Sequence, residues 1–284
     1  PLGTDGGVPE SPQWAESLCG RAAGDLTALA RRMAAARTIV TVSWSLQRTR
    51  HGEQAPWMGL TLAAMLGQIG LPGGGFGHGY GSMNEPGTPP LRCGLPRLPQ
   101  GVNPVSSFIP VAAVSDMLLH PGEPFDYNGL RLSYPAIKLV YWAGGNPFHH
   151  HQNLSRLRRA LGRPDTVVVH DPYWTAMAKH ADIVVPSTTA MERDDYSGSR
   201  NDPVLMAMPQ LTEPYAQSQD DYQTFAALSR RLGFENQFTE GRTARQWLTY
   251  LYENWSSALD FDVPTFDEFW RAGQLRLPTE DGLT

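Results

Sequence analysis

Residues able to hold an anionic, nucleotide-like ligand fall at four places in this chain, each just after a short run rich in β-branched residues. Trp44-Ser45-Leu46-Gln47-Arg48 follows the run 38–43, and Ala143-Gly144-Gly145-Asn146-Pro147-Phe148 follows 137–142. His170-Asp171-Pro172 closes the run 166–170, and Met191-Glu192-Arg193-Asp194-Asp195 comes after 183–185. Glycines followed by a helix start present backbone N–H groups to an anion, and Arg156, Arg158 and Arg159 lie on the helix that follows. A solvated arginine face beyond an ordinary βα turn remains the alternative. Asp171 is placed to receive donors from a sugar or a guanine edge; it could equally cap a helix beginning at Pro172.

Other candidates carry less. His149, His150 and His151 are consecutive and point in divergent directions, so one of them bonding a polar ligand is favoured over a shared metal ion. Glu192 and Asp194 have the composition of an acid–base pair, although neighbouring acids in a loop are commonly just solvated. No G-x-S-x-G occurs, which lowers a serine hydrolase reading. The glycine-rich run 71–81 fits neither G-x-G-x-x-G nor a Gly-Lys phosphate loop and follows a helix, so it reads as a helix stop with tight packing.

The elements that must position these residues follow from the pattern. Three continuous apolar runs (137–142, 166–170 and 183–185) alternate with two segments of helical character, as parallel strands with crossover helices do. Continuous rather than alternating runs imply a sheet covered on both faces, and ligands of such sheets collect beyond the carboxyl ends of the strands. The fold class expected is therefore α/β, with Rossmann-like parallel sheets and helices on both faces. Towards the N-terminus, Ser11-Pro12 and Gly20 frame a short helix, 25–36 is amphipathic, 38–43 is a strand, and 54–69 reads as a helix buried in a core. Asn128-Gly129 signals a hairpin, and 219–232 and 243–252 read as amphipathic helices. Residues 84–110 form a long irregular connection. The expected division is 1–110 as part of one α/β domain, 111–255 as a Rossmann-like domain, and 256–284 as a linker.

Composition narrows the class. A formal charge of −5 over 284 residues gives no basic excess for a nucleic-acid backbone. Lys138 and Lys179 are the only lysines, so the cations are almost all forked guanidinium groups suited to phosphate or carboxylate. Two cysteines, Cys19 and Cys93, cannot build a four-thiolate metal site. The longest apolar segment, 56–69, is short of the roughly 20 residues a spanning helix requires. No leader pattern opens the chain, and a first residue of proline suggests a piece of something longer.

The blocks TVSWSLQRTRHGEQ, LAAMLGQIGLPGGGFG, KLVYWAGGNPFHHHQ, VVVHDPYWTAMAKHADIVVPSTTAMERDD and DDYQTFAALSRRLG, in that order, resemble the dimethyl sulfoxide reductase family of molybdenum enzymes. The GHGYGSMNEPG block points to its biotin sulfoxide reductase branch, with trimethylamine N-oxide reductases next. The resemblance runs from about Ser11 to the end. It implies a bis(molybdopterin guanine dinucleotide) molybdenum cofactor, a small S-oxide or N-oxide substrate, and a chain that is a fragment of a larger multidomain enzyme completed by missing N- and C-terminal parts. It also implies a bacterial protein, cytoplasmic or periplasmic, without nucleic-acid or membrane partners. Carried over by block, Trp44, Ser45 and Arg48 would line the cofactor near its pterin end, Asn146 and His150 would bind it from the GGNPFHHH loop, and His170 and Asp171 would hold a guanosine portion. Arg193 and Asp221 would add further contacts. No block supplies the serine that binds molybdenum in this subgroup, so no catalytic residue and no metal ligand is assigned. The competing reading is a stand-alone nucleotide-binding or interaction module without redox activity.

Overall fold

The computed structural model describes residues 7, 9–49, 51–79, 91–199 and 202–280. Two compact units divide at Met83 and Asn84. In the first, Ser11 caps helix α1 (Pro12–Cys19) by accepting from the Trp14 N–H, Pro12 occupies the first turn, and Gly20 closes the helix at φ +68°. Helix α2 (Ala23–Ala35) leads into strand β1 (Ile39–Val42), a 3-10 turn (Trp44–Arg48) and helix α3 (Gln54–Met65).

Two expectations fail in this unit. The glycine run is more than a helix stop: Gly75–His78 is strand β2, parallel to β1 with Val42 opposite His78. Glycine obscures strand propensity, yet Gly75 has φ +96° and a Cβ there would stand 3.2 Å from the Ile69 Cα. Helix α3 packs on the pair through its own glycine: a Cβ on Gly59 would sit 3.0 Å from the Phe76 ring and 3.1 Å from Val42. Helix α3 is also not enclosed. Only Gly59 and Ala63 are buried, whereas Trp57 is 64% and Met65 80% exposed. Small residues make the contact that lets the helix approach the sheet, and the large apolar ones face outward.

The second unit contains helix α4 (Val114–Leu119) and a hairpin of β3 (Pro124–Tyr127) and β4 (Leu130–Ser133), turned by Asn128 and Gly129. Both turn residues have positive φ, +49° and +76°, which explains the Asn-Gly pair. Its main sheet is parallel, in the order β5 (Leu139–Ala143), β6 (Thr166–Asp171), β7 (Ile183–Pro186). Helix α5 (Leu154–Leu161) crosses between β5 and β6. The second crossover, expected to be helical, contains only a 3-10 turn at Ala178–His180.

Strand parity explains how the sheet is covered. Val140, Trp142, Val167 and Val169 face one way and pack with Leu118 of α4, Leu157 and Ala160 of α5, and Met177. Tyr141 and His170 face the other, against Phe225 of helix α6 (Asp221–Leu232). Helices thus cover both faces.

A second sheet is antiparallel and was not legible beforehand: β8 (Asp195–Ser199) and β9 (Asp202–Met208) pair, and β10 (Gln274–Arg276) joins β9. After α7 (Glu235–Thr239) and α8 (Ala244–Ser257), the described part of the expected linker 256–284, residues 256–280, carries regular structure. It holds α9 (Phe266–Ala272) and β10, and Phe266, Phe269 and Leu277 pack with Tyr252 and Leu205. Aromatics that look scattered in the tail converge because helix and strand present them to one core. Of the irregular connection, 91–110 is described; residues 80–90, including most of the GHGYGSMNEPG block, lie outside the described residues.

Candidate functional site

In the first unit, the turn after β1 places Trp44, Ser45 and Arg48 at the carboxyl edge of the parallel pair. Trp44 lies on the backbone of Gly79: a Cβ there would stand 2.4 Å from the indole. Its ring centroid is 5.3 Å from that of His78, whose Nδ1 is buried with no hydrogen-bond partner among the described residues. Ser45 Oγ is 2.9 Å from Ser43 Oγ. Glycine at 79, with φ +73°, is what permits this approach.

In the second unit, the turn after β5 has Gly144 and Gly145 at φ +88° and +79°, with no side chain to shield their amides. Asn146 caps the short 3-10 turn Pro147–His149 by accepting from the Phe148 N–H at 3.1 Å. His150 is exposed, and its ring lies 5.3 Å from that of His151. Burial pushes the His151 pKa down, and the neighbouring His150 adds to the shift. Helix α5 then presents Arg158 and Arg159 to solvent, while Arg156 is committed to Asp116 of α4.

His170 is only 3% exposed. Its Nδ1 lies 2.7 Å from Asp221 Oδ1, its Nε2 lies 2.8 Å from the Tyr141 hydroxyl, and its ring stacks on Phe225. The structure therefore joins His170 and Asp221 across 51 positions of sequence, and both histidine nitrogens are taken by protein groups. Asp171 accepts from the Tyr173 N–H at 3.0 Å and from the Thr175 hydroxyl at 2.6 Å. It thus shapes a turn rather than capping a helix at Pro172, and the turn leaves Tyr173 and Trp174 exposed.

Arg193 and Asp221 meet in a cleft of about 710 Å³, walled also by Thr188, Asp194, Asp195, Tyr196, Asp220, Arg245 and Trp247. Asn146, His150, His170 and Asp171 do not line it. Arg193 donates to Asp195 Oδ2 at 3.3 Å and to the Thr188 carbonyl at 3.5 Å. Arg245 pairs with Asp194 at 3.4 Å and lies over the Trp270 ring. These cations are about a third exposed, so the pairing is partial and leaves donors for an incoming anion. Burial, then the charge of Asp195, pushes the Tyr196 phenol up to about 12. The Thr188 hydroxyl is buried beside the cleft with no hydrogen-bond partner among the described residues, a polar atom that a bound group could satisfy.

Glu192 does not pair with Asp194 for acid–base work. Its carboxylate accepts from the Thr189 N–H and hydroxyl and from the Tyr215 N–H, at 2.7, 2.9 and 2.8 Å. These bonds hold its pKa below the usual carboxylate value, the Thr189 amide most of all. Sequence reasoning missed Thr188, Arg245 and Trp247. Only their place after a strand or on an amphipathic helix could have suggested them.

The molybdopterin oxidoreductase family model matches residues 14–231. This chain belongs to that family. Among curated relatives, it is 45% identical to a biotin sulfoxide reductase of Cereibacter sphaeroides over 98% of this chain and 38% of the relative. It is 42% identical to a dimethyl sulfoxide/trimethylamine N-oxide reductase of the same organism, over 99% and 36%. To a trimethylamine-N-oxide reductase of Haemophilus influenzae it is 41% identical, over 95% and 34%. The chain thus spans between a third and two fifths of the length of these relatives. Family membership implies a molybdenum–molybdopterin cofactor, and the donor set fits one: forked cations for phosphate, carboxylates for ring N–H donors, and exposed glycine amides. Among the described residues, no helix is long and apolar enough to cross a membrane.

Proposed function

We propose that this chain is part of a bacterial oxidoreductase that reduces small S-oxides or N-oxides by oxygen-atom transfer, and that it supplies part of the binding site for bis(molybdopterin guanine dinucleotide). The observation that carries the reading is the second-unit cleft, where guanidinium groups, carboxylates and a buried hydroxyl without a partner among the described residues converge. Arg193 and Arg245 suit a pyrophosphate, and Asp221 and Asp220 suit the N–H donors of a guanine edge. The glycine amides before Asn146, with His150, suit a second anionic portion, and Asp171 fixes the turn next to them at the sheet edge. In the first unit, Trp44, Ser45 and Arg48 would meet the pterin end.

When bound, the cofactor supplies the two-electron oxygen-atom-transfer chemistry, and the protein supplies binding and orientation. No residue of this chain is assigned as the molybdenum ligand. Cytoplasm is the proposed compartment.

The self-contained cleft also favours a second reading, a nucleotide-binding module without redox activity. Loading the purified chain with cofactor released from a molybdoenzyme, then assaying bound molybdenum and oxidation of reduced methyl viologen with biotin sulfoxide, separates the readings. Retained molybdenum without turnover is expected for a partial catalytic chain. Failure to retain any, with intact GDP binding, would favour the module.

A further inference from the structure

Asp221, His170 and Tyr141 form one hydrogen-bonded row across α6, β6 and β5. Asp221 lines the cleft, and its side chain is 56% exposed. One of its oxygens is engaged by His170; the other has no protein partner among the described residues. His170 is buried, so it cannot meet a ligand itself. An ionised carboxylate only accepts, which requires a proton on Nδ1. With the ring neutral, Nε2 is then an acceptor, and the Tyr141 hydroxyl must donate to it. Burial, followed by the Asp221 charge, raises the Tyr141 pKa and keeps that hydroxyl protonated. Phe225 stacked on the imidazole fixes its plane.

We infer that His170 is a positioning residue of the cleft: it fixes one oxygen of Asp221 so that the other is presented to N–H donors of the bound nucleotide, while the carboxylate sets the ring's tautomer and the Tyr141 hydroxyl conforms to it by donating to Nε2. The inference rests on the nucleotide reading of the cleft and adds a division of labour within it. His170 acts on the ligand only through Asp221.

The test uses the full chain, with GDP as the probe. Nitrogen-15 shifts of His170 are expected to show a protonated Nδ1 and a bare Nε2 without ligand. In calorimetry, His170→Leu is expected to weaken GDP binding by roughly tenfold, the scale of one charge-assisted hydrogen bond. His170→Asn, which retains an N–H near the Nδ1 position, should recover most of that loss. The double variant His170→Leu/Asp221→Ala should bind no worse than Asp221→Ala alone, since the two act as one unit. A general structural role would instead add its loss to that of Asp221→Ala. A proton on Nε2, or wild-type affinity in His170→Leu, would overturn the inference. If His170→Leu fails to fold, Tyr141→Phe and Asp221→Ala keep the test alive: the first should retain Nδ1–H, the second, with no acceptor left at Nδ1, should shift the proton towards Nε2, and an unmoved tautomer in Asp221→Ala counts against the inference. No GDP binding by the wild-type chain would sink the nucleotide reading, leaving the nitrogen shifts to decide the positioning claim.

Discussion

Trp44 rests on Gly79 so closely that a methyl group at 79 would fall 2.4 Å from the indole. The turn after β1 and the end of β2 are therefore fixed together by a ring lying on bare backbone. Gly79→Ala should displace Trp44 and, because φ is +73°, strain the backbone too. A cost of about 1–3 kcal/mol in urea unfolding is expected, with a shift in tryptophan emission. An unchanged spectrum and midpoint would contradict the packing described.

The core under the parallel sheet rests on residues that reach it from α5. Leu157 is fully buried among Val167, Val169 and Met177. Leu157→Ala should cost about 2–5 kcal/mol, read as a lower denaturation midpoint with little change in slope. Leu154, on the exposed side of the same helix, should tolerate alanine within roughly 0.5 kcal/mol.

Acid should loosen the turn beside the cleft. The Glu192 pKa is depressed by the Thr189 and Tyr215 amides. Its contribution is therefore present above the unfolded-state carboxylate value and is lost as pH falls through the lower folded-state one. Protection of the Tyr215 and Thr189 amides, taken relative to their intrinsic exchange rates, should fall as pH drops below the ordinary carboxylate value of 4.5. Glu192→Gln should remove that dependence. Protection at these two amides that does not fall in acid would count against the capping role.

At the alkaline end, burial pushes the Tyr196 and Tyr252 phenols up to about 12. A folded-state pKa above the unfolded one stabilises the fold below pH 10 and is lost as pH rises towards 12. Ultraviolet titration should show two tyrosines ionising late, together with unfolding. Tyr252→Phe should remove one of them, at the cost of the hydroxyl's bond to the Pro264 carbonyl.

How far the chain could be read in advance depended on whether a signal was local. Ser11, Pro12 and Gly20 announce α1 because capping chemistry is confined to neighbouring residues. Asn128-Gly129 announces its hairpin for the same reason. The parallel sheet was legible because central strands are apolar throughout. Strand β2 was hidden by its glycines, of which Gly75 is required by a positive φ and by the backbone of Ile69 lying 3.2 Å from where a Cβ would be. The exposure of α3 was hidden because apolar content says nothing of which residues make the contact. Strand β10 was missed since its pairing with β9 is long-range, and β8 because its sequence, Asp-Tyr-Ser-Gly-Ser, carries no β-branched residue. In the cleft, Arg193 and Asp221 came from family blocks. The bond between Asp221 and His170 could come only from the fold, because it links an α6 start to a β6 end.

The central claim is best tested by mapping GDP onto the isotope-labelled chain through its backbone amide resonances. Perturbations centred on Thr188, Arg193, Asp221 and Arg245, saturating with added nucleotide, are expected. No perturbation, or one confined to residues away from this cleft, would contradict the claim that it holds the nucleotide end of the cofactor.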